Sequence, residues 1–318
     1  MKKVAIFGAA GAIGHAVAPE LVRLGIPFRA VGRTLQKLTA GFGSMAGAEI
    51  VEADLSDPQQ AERAAEGVDT IVYLVGVTNT EFDKHPVLMR ISLEAAARAG
   101  VARLLMVSGV FSYGVPCTQR VAETHPREPE THKGKCRKQQ EDLVTDAHQP
   151  GGLHTMVVRL PDYYGPHNGR SLARQIFRSA LDGKTANWMG PANTLHEFIF
   201  VPDAGPVLTE LAGREDCYGE AWNLGGVDAI PGVDFITRIY RAAGREPDYR
   251  SIGGTMLKMA GVLSPTLKEV ADMLYLQETP VILDDSKLAA KLGGLPKTSY
   301  DEGIRRTLEW MRSEAALH

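Results

Sequence analysis

Three glycines near the N-terminus are spaced as in a turn that binds phosphate. Gly8, Gly11 and Gly14 follow the apolar run Val4–Phe7 and precede a helical pattern. Gly8 permits a tight turn, Gly11 lets the backbone approach a pyrophosphate, and Gly14 lets the helix pack closely. The N–H groups and partial positive charge of the helix N-terminus favour an anion here. The pattern predicts a dinucleotide-binding turn opening a β-α-β unit.

A basic segment stands where an acidic residue would select NAD. In dinucleotide-binding folds, an Asp or Glu at the end of the second strand binds the ribose 2′-hydroxyl. No acidic residue occurs between Leu21 and Ala48, and Arg33, Thr34 and Lys37 lie there instead. An arginine fork matches a 2′-phosphate, so we predict NADP(H) as cofactor. The alternative is a solvated surface arginine.

The first half of the chain alternates short apolar runs with helical patterns, which indicates a parallel sheet buried on both faces. Strands are predicted at 4–7, 28–31, 49–51, 70–75, 104–107 and 155–160. Helices are predicted at 12–24, 34–41, 57–66, 86–99 and 133–147. Pro19 falls inside the first helix, where it predicts a local bend.

The regular alternation of predicted strands and helices does not continue in the second half of the chain. Helices are predicted near 170–182, 204–213, 232–243, 253–275 and 301–315, with strands near 198–201 and 221–224. The predicted fold class is α/β: a doubly wound parallel-sheet Rossmann domain with a smaller mixed, mainly helical C-terminal substrate lobe. The predicted boundaries are 1–165 for the NADP(H)-binding domain and 166–318 for the substrate-binding lobe, which can send segments back to the sheet.

Composition excludes several classes of protein. The 318 residues carry a formal net charge of -3, which argues against a nucleic-acid partner. No apolar stretch reaches the roughly 18 residues of a membrane span, so we expect a cytoplasmic protein without a membrane partner. The three cysteines form no C-x-x-C pair and the nine histidines no H-x-x-x-H pair, so neither disulfide nor metal is predicted.

The G-x-x-G-x-x-G spacing resembles that of the short-chain dehydrogenase/reductase superfamily, specifically its extended or atypical branch with NAD(P)-dependent epimerases and dehydratases. The resemblance continues at Ala53-Asp-Leu55, Leu74-Val-Gly76, Ser112-Tyr-Gly114, Arg159–Pro166 and Phe198–Asp203. It covers nearly the whole chain, and the last two stretches point to the extended branch.

The resemblance also implies a set of cofactor contacts. In the family pattern Asp54 meets the adenine edge, although an aspartate there can simply cap its own loop. The predicted cofactor-binding residues are Gly8, Ala10, Gly11, Ala12, Ile13, Gly14, Arg33, Thr34, Lys37, Asp54, Leu55, Val75, Gly76, Ser108, Lys133, Leu160, Pro161 and Tyr163.

The catalytic positions depart from the family pattern. Members usually carry a Ser or Thr after the fifth strand and a Tyr-x-x-x-Lys on the following helix. Here Gly109 takes the serine position, beside Ser108, and the following helix contains no tyrosine. Counting back from Glu141, which often lies eight residues after the family's tyrosine, puts Lys133 at the tyrosine position and Arg137 at the lysine position.

Three interpretations of this departure stay open. The protein has lost catalysis and kept the cofactor, or Lys133 transfers protons, as in isoflavone-reductase-like and phenylpropanoid reductases. A lysine can do so where burial and a neighbouring cation such as Arg137 favour its neutral form. The third interpretation is a solvated face, which is usual for a basic run. Tyr113, Tyr163 and Tyr164 are further proton donors near the cleft, or aromatic packing residues.

We therefore predict an NADP(H)-dependent reductase or dehydrogenase acting on a small carbonyl, alcohol or conjugated substrate beneath the C-terminal lobe. The first alternative is a sugar-nucleotide epimerase or dehydratase, against which the missing Tyr-Lys pair counts. The second is a non-catalytic, NADP-sensing regulator. Family analogy also suggests a homodimer through the helices at 86–99 and 133–147.

Overall fold

The structure is a computed structural model, and it describes residues 1–149, 151–169, 171–253 and 274–316. The helix predicted at 253–275 therefore falls almost wholly outside the described residues. Among the described helices, none is long and apolar enough to cross a membrane.

A seven-stranded parallel sheet forms the centre of the molecule, in the order β10-β6-β5-β4-β1-β2-β3. Its strands are β1 (Val4–Phe7), β2 (Phe28–Gly32), β3 (Ala48–Glu52), β4 (Thr70–Tyr73), β5 (Arg103–Ser108), β6 (His154–Arg159) and β10 (Ala221–Asn223). The order reverses between β1 and β4, and parallel-sheet folds bind ligands beyond the carboxyl ends of the strands at such a switch point. The glycine turn after β1 lies at this edge.

Helices cover both faces of the sheet, as the alternating pattern predicted. They are α1 (Ala12–Arg23), α2 (Leu35–Phe42), α3 (Pro58–Ala65), α4 (Lys84–Arg98) and α5 (His132–Asp146). Local chemistry explains the start of α3: Asp57 accepts hydrogen bonds from the backbone N–H groups of Gln59 and Gln60, with Pro58 in the first turn. The doubly wound α/β prediction is confirmed.

The second half is more mixed than its sequence pattern indicated. Its helices are α6 (Leu172–Asp182), α7 (Val201–Gly213), α8 (Gly232–Ala242), α9 (Tyr275–Glu278), α10 (Ser286–Leu292) and α11 (Tyr300–Ala316). Its other strands are β7 (Asp162–Tyr164), β8 (Ala186–Met189), β9 (Leu195–Phe200), β11 (Ala229–Pro231) and β12 (Tyr249–Ile252). Four of these strands escaped prediction because three or four residues are too few to show a period of two.

Two segments of the second half return to the first. Strand β10 pairs with β6, and α7 packs on α1 in one hydrophobic core. The two helices approach closely, since a Cβ on Gly205 would lie 2.2 Å from the carbonyl oxygen of Ala16. The predicted boundary between residues 165 and 166 stays a prediction.

A separate aromatic core holds the C-terminal lobe together. It brings α6, α8 and α11 against β7 and β9. Its large members are Tyr164, Phe177, Trp188, Phe198, Phe200, Phe235, Tyr240 and Tyr300. The lobe therefore has its own apolar centre beside the sheet.

Candidate functional site

The glycine turn has the geometry of a pyrophosphate cradle. Gly8 has a φ of +83°, and a Cβ on Gly14 would lie 2.0 Å from the carbonyl oxygen of Ala9. Gly11 differs, because a Cβ there would meet nothing closer than the carbonyl oxygen of Gly8 at 3.6 Å. Gly8 and Gly14 are required by the protein's own packing, whereas the space at Gly11 opens to the exterior. This cradle fits a dinucleotide, which a side chain at Gly11 would displace.

The residues after β2 form an exposed basic segment. Arg33, Thr34 and Lys37 are all exposed, and no ion pair to Arg33 is found within the described ranges. Its charge acts on Asp54: hydrogen bonds from Ser56 contribute most to lowering the pKa of Asp54, and Arg33 lowers it further. Asp54 Oδ1 accepts from the Ser56 backbone N–H and hydroxyl at 3.0 and 2.8 Å, so this carboxylate caps its own loop.

The other predicted cofactor residues surround the same edge of the sheet. Leu55, Ser108, Leu160 and Pro161 are buried, and Gly76 is exposed in the loop after β4. A Cβ on Gly76 would meet no atom within 4 Å, so this loop leaves open space beside the turn.

A buried polar network, centred on Glu141 and here called the Glu141 cluster, lies beneath this edge. Glu141 is 0% exposed, and its Oε1 accepts from the hydroxyls of Ser108 and Ser112 at 2.6 and 2.9 Å. Its Oε2 accepts from Arg159 Nε and Nη2 at 3.0 and 2.8 Å, and from Arg127 Nη1 at 3.2 Å. Burial would raise the pKa of Glu141, but the charge and hydrogen bonds of Arg159 outweigh it and lower that pKa.

Tyr113 belongs to this network. Its hydroxyl donates to Asn223 Oδ1 at 2.8 Å and accepts from Arg159 Nη1 at 3.0 Å. The side chain is 1% exposed, and burial raises its pKa. The hydroxyl's donor and acceptor roles are thus both engaged inside the protein, which suits a positioning role.

Lys133 and Arg137 are buried, which contradicts the interpretation of this run as a wholly solvated face. They lie one turn apart on α5 and are 2% and 8% exposed, whereas Lys135 between them is exposed. The Lys133 Nζ lies 5.2 Å from the centre of the Phe82 ring. One face of the helix therefore carries Lys133, Arg137 and then Glu141 into the protein.

Arg137 is held by hydrogen bonds on several sides. Its Nη1 donates to Gln140 Oε1 at 2.6 Å and lies 3.1 Å from His85 Nδ1, and its Nη2 donates to the Ser108 hydroxyl at 3.3 Å. Burial lowers its pKa, and Glu141 opposes that effect. The guanidinium is thus a fixed group behind Lys133 and next to the Glu141 cluster.

The two remaining tyrosines have different surroundings. Tyr164 is 1% exposed within the aromatic core, and burial raises its pKa. Tyr163 is only half-buried; burial and Asp162 raise its pKa, and the charge of Arg137 lowers it. Tyr163 therefore shares an electrostatic environment with Arg137, whereas Tyr164 packs as the aromatic interpretation expected.

Sequence reasoning missed the members of the Glu141 cluster as a functional unit. From the sequence, Glu141 only marked the position eight residues after the family's tyrosine. Arg159 was only the first residue of a stretch that resembles the family. One signal was available, because Lys133, Arg137 and Glu141 recur every fourth residue and must share a helix face. The partners from β6 and β10 could not be found without the tertiary structure.

The sheet, its switch point and the glycine cradle define a Rossmann-type protein that binds a nicotinamide dinucleotide. A family model described as NAD(P)H-binding matches residues 8–161. The chain is similar to enzymes of the extended short-chain dehydrogenase/reductase superfamily, which is the resemblance that its glycine spacing indicated.

Similar proteins include a dTDP-glucose 4,6-dehydratase from Streptomyces antibioticus. It is 27% identical to this chain, and the match covers 98% of this chain and 92% of the relative. The dTDP-glucose 4,6-dehydratase from Bacillus anthracis, solved with NAD, has a TM-score of 0.83 at 16% identity, covering 99% of this chain and 98% of that one. MoeE5, solved with UDP-glucose and NAD, has a TM-score of 0.81 at 21% identity, covering 98% and 99%. These names favour the sugar-nucleotide alternative over the small-carbonyl prediction.

Proposed function

We propose that this chain is an NADP(H)-dependent oxidoreductase that transfers hydride at a hydroxyl- or keto-bearing carbon of a sugar nucleotide. The observation that carries the chemistry is the burial of Lys133 at the position where related sequences place a tyrosine. The substrate class is supported by the match to a dTDP-glucose 4,6-dehydratase, which continues through the C-terminal lobe.

The chain's own residues supply proton transfer and orientation. The nicotinamide, when bound, accepts or donates the hydride. The Lys133 amine takes the proton from the substrate hydroxyl in oxidation and returns it to the carbonyl oxygen in reduction. Arg137, held by Ser108 and Gln140, is a fixed cation one turn behind that amine.

The Glu141 cluster acts through position. Glu141 binds both Ser108 and Ser112, and so connects the end of β5 to α5, which carries Lys133 and Arg137. Arg159 connects the same carboxylate to β6 and to Tyr113. Tyr163, half-buried beside Arg137, is the second candidate for a proton donor to the substrate.

A panel of nucleotide sugars tests this function. The full-length protein is incubated with NADPH or NADP⁺ and dTDP-, UDP- and GDP-linked sugars, their keto derivatives and small carbonyls. We expect turnover of at least one nucleotide sugar, measured by NADPH absorbance and by mass spectrometry of the sugar. Turnover of small carbonyls alone would contradict the substrate class. Tight NADPH binding without any product would contradict catalysis and favour a regulator.

Replacing Arg33 with Asp should weaken NADPH binding by about 1.5–3 kcal/mol, the range for a hydrogen bond to a charged group. NADH, which lacks the 2′-phosphate, should lose much less affinity. Isothermal titration calorimetry measures both constants for wild type and for the variant. Arg312→Asp, the same charge reversal on an exposed face of α11, is the control. Equal wild-type affinity for NADPH and NADH would contradict the NADP(H) assignment.

A further inference from the structure

Three metal-ligating side chains from two helices converge away from the proposed catalytic face of α5. Asp83 directly precedes α4, and His132 and Cys136 lie one turn apart at the start of α5. His132 Nε2 is 2.8 Å from Asp83 Oδ1, and Cys136 Sγ is 3.5 Å from that nitrogen and 3.8 Å from that oxygen. His132 and Cys136 form an H-x-x-x-C pair, and the third member, Asp83, is distant in sequence.

The spacing of these three atoms is close to that of a tetrahedral zinc site. With zinc bonds of about 2.3 Å to sulfur and 2.0–2.2 Å to nitrogen and oxygen, the ligand atoms would lie roughly 3.4–3.6 Å apart. The two distances to Cys136 Sγ already match to within a few tenths of an ångström. Only the distance between His132 Nε2 and Asp83 Oδ1 would have to lengthen, because these two atoms are now at hydrogen-bond distance.

The Asp83 carboxylate is oriented toward this cluster. A residue at the N-cap of a helix usually accepts a hydrogen bond from the first turn, but the side chain of Asp83 makes no such bond to α4. It faces His132 and Cys136 instead. The Asp83 and His132 side chains are 75% and 59% exposed, so an ion could reach them directly from solvent.

We propose that Asp83, His132 and Cys136 bind a zinc ion at the mouth of the cleft between α4 and α5, with the fourth position open to solvent. Thiolate and imidazole favour zinc over magnesium or calcium, which prefer oxygen ligands. The cleft measures about 380 Å³ and leaves room for a water or another fourth ligand. This site does not depend on the proposed catalytic role of Lys133.

The two anionic ligands balance the charge of the bound ion. Cys136 binds zinc as the thiolate, so its thiol proton leaves when the ion binds. On binding, that proton passes to the buffer, and thiolate and carboxylate together neutralise the dication. Lys135 and Arg90, which also line the cleft, then face a site with no net positive charge.

Bound zinc would join the start of α4 to the first turn of α5. That turn carries Lys133, the residue after His132, on its buried face. The ion would therefore stabilise the segment that positions Lys133 without contacting it. By linkage, zinc at about 100 times its dissociation constant should raise the unfolding midpoint by roughly 4 °C.

Titration of the metal-free, full-length protein with zinc chloride tests the site. We expect one equivalent to bind by calorimetry, and Co²⁺ in its place to give the charge-transfer absorption of a cobalt–thiolate bond. Cys136→Ser and His132→Ala should each weaken zinc binding by roughly 100-fold or more, since even outer-shell changes cost 10–100-fold. Circular dichroism and the metal-free unfolding midpoint establish that each variant is folded.

Cys117→Ser is the matched control. Cys117 Sγ lies 3.1 Å from His125 Nε2, so it forms a second cysteine–histidine pair. Within the described residues, that pair has no third ligand comparable to Asp83. The control should bind zinc like wild type. Absence of stoichiometric binding, unchanged affinity in folded Cys136→Ser, or loss of binding in Cys117→Ser would each overturn the proposal.

Discussion

Replacing Lys133 with alanine should lower turnover by a factor of roughly 100 to 10,000, the usual contribution of a general acid or base. NADPH affinity should change little, because the pyrophosphate cradle at Gly11 and the proposed 2′-phosphate site at Arg33 lie elsewhere on the sheet edge. The measurements are single-turnover hydride transfer and NADPH dissociation, made side by side with the nucleotide sugar that the substrate panel identifies.

Two further variants make this result specific. Lys133→Arg should be nearly as inactive, because a guanidinium does not give up its proton near neutral pH. Lys138→Ala is the control: Lys138 lies on the same helix in a partly exposed ion pair with Asp142, and such pairs contribute little. If Lys133→Ala loses NADPH affinity in proportion to activity, the lysine is a cofactor contact. If neither changes, Tyr163 becomes the residue to test.

Removing the Glu141 side chain should lower the free energy of unfolding by about 3–5 kcal/mol, because Arg159 would be left buried without its counter-charge. Arg159 is 3% exposed, and its guanidinium also donates to the Tyr113 hydroxyl. Urea unfolding of Glu141→Ala against wild type measures the loss. Asp142→Asn, which alters the neighbouring and half-exposed carboxylate, should cost much less. Equal losses in the two variants would contradict a special role for the buried pair.

The same carboxylate predicts a pH dependence. The pKa of Glu141 is lowered in the folded protein, so its stabilising contribution is present above the unfolded-state pKa of about 4.3 and is lost as pH falls through the folded value. In wild type this part of the stability should therefore disappear only below about pH 4. Glu141→Gln should lack it, and the difference between the two proteins should shrink in acid. A difference that stays constant from neutral pH to pH 3 would contradict this account.

Much of the fold was predictable because its signals are local. Most strands of the central sheet are near-continuous apolar runs, and the glycine turn before α1 and the Asp57-Pro58 pair at α3 specify the starts of those helices. The predicted bounds of these strands and helices differ from the observed bounds by no more than two residues at each end. The lobe was harder, because strands such as β7 and β11 exist through pairing with β9, which lies far along the chain.

The sequence by itself determined the class of protein and the phosphate cradle. Gly8, Gly11 and Gly14 carry their geometry in their spacing, and the absence of an acidic residue around Arg33 is visible without coordinates. These features depend on backbone freedom and on residues adjacent in the chain. These features can therefore be recognised from a short stretch of sequence.

Only the tertiary structure decided which residues of the basic run 132–138 are buried. As sequence it is a charged segment, and its average polarity predicts a solvated surface. In the folded helix, Lys133 and Arg137 lie on the buried face. His132 and Cys136 lie on another face, where they contact Asp83, the residue before α4. The Glu141 cluster likewise needs β5, β6 and α5 side by side. Burial and convergence of distant groups decide what these side chains can do, and no local pattern encodes either.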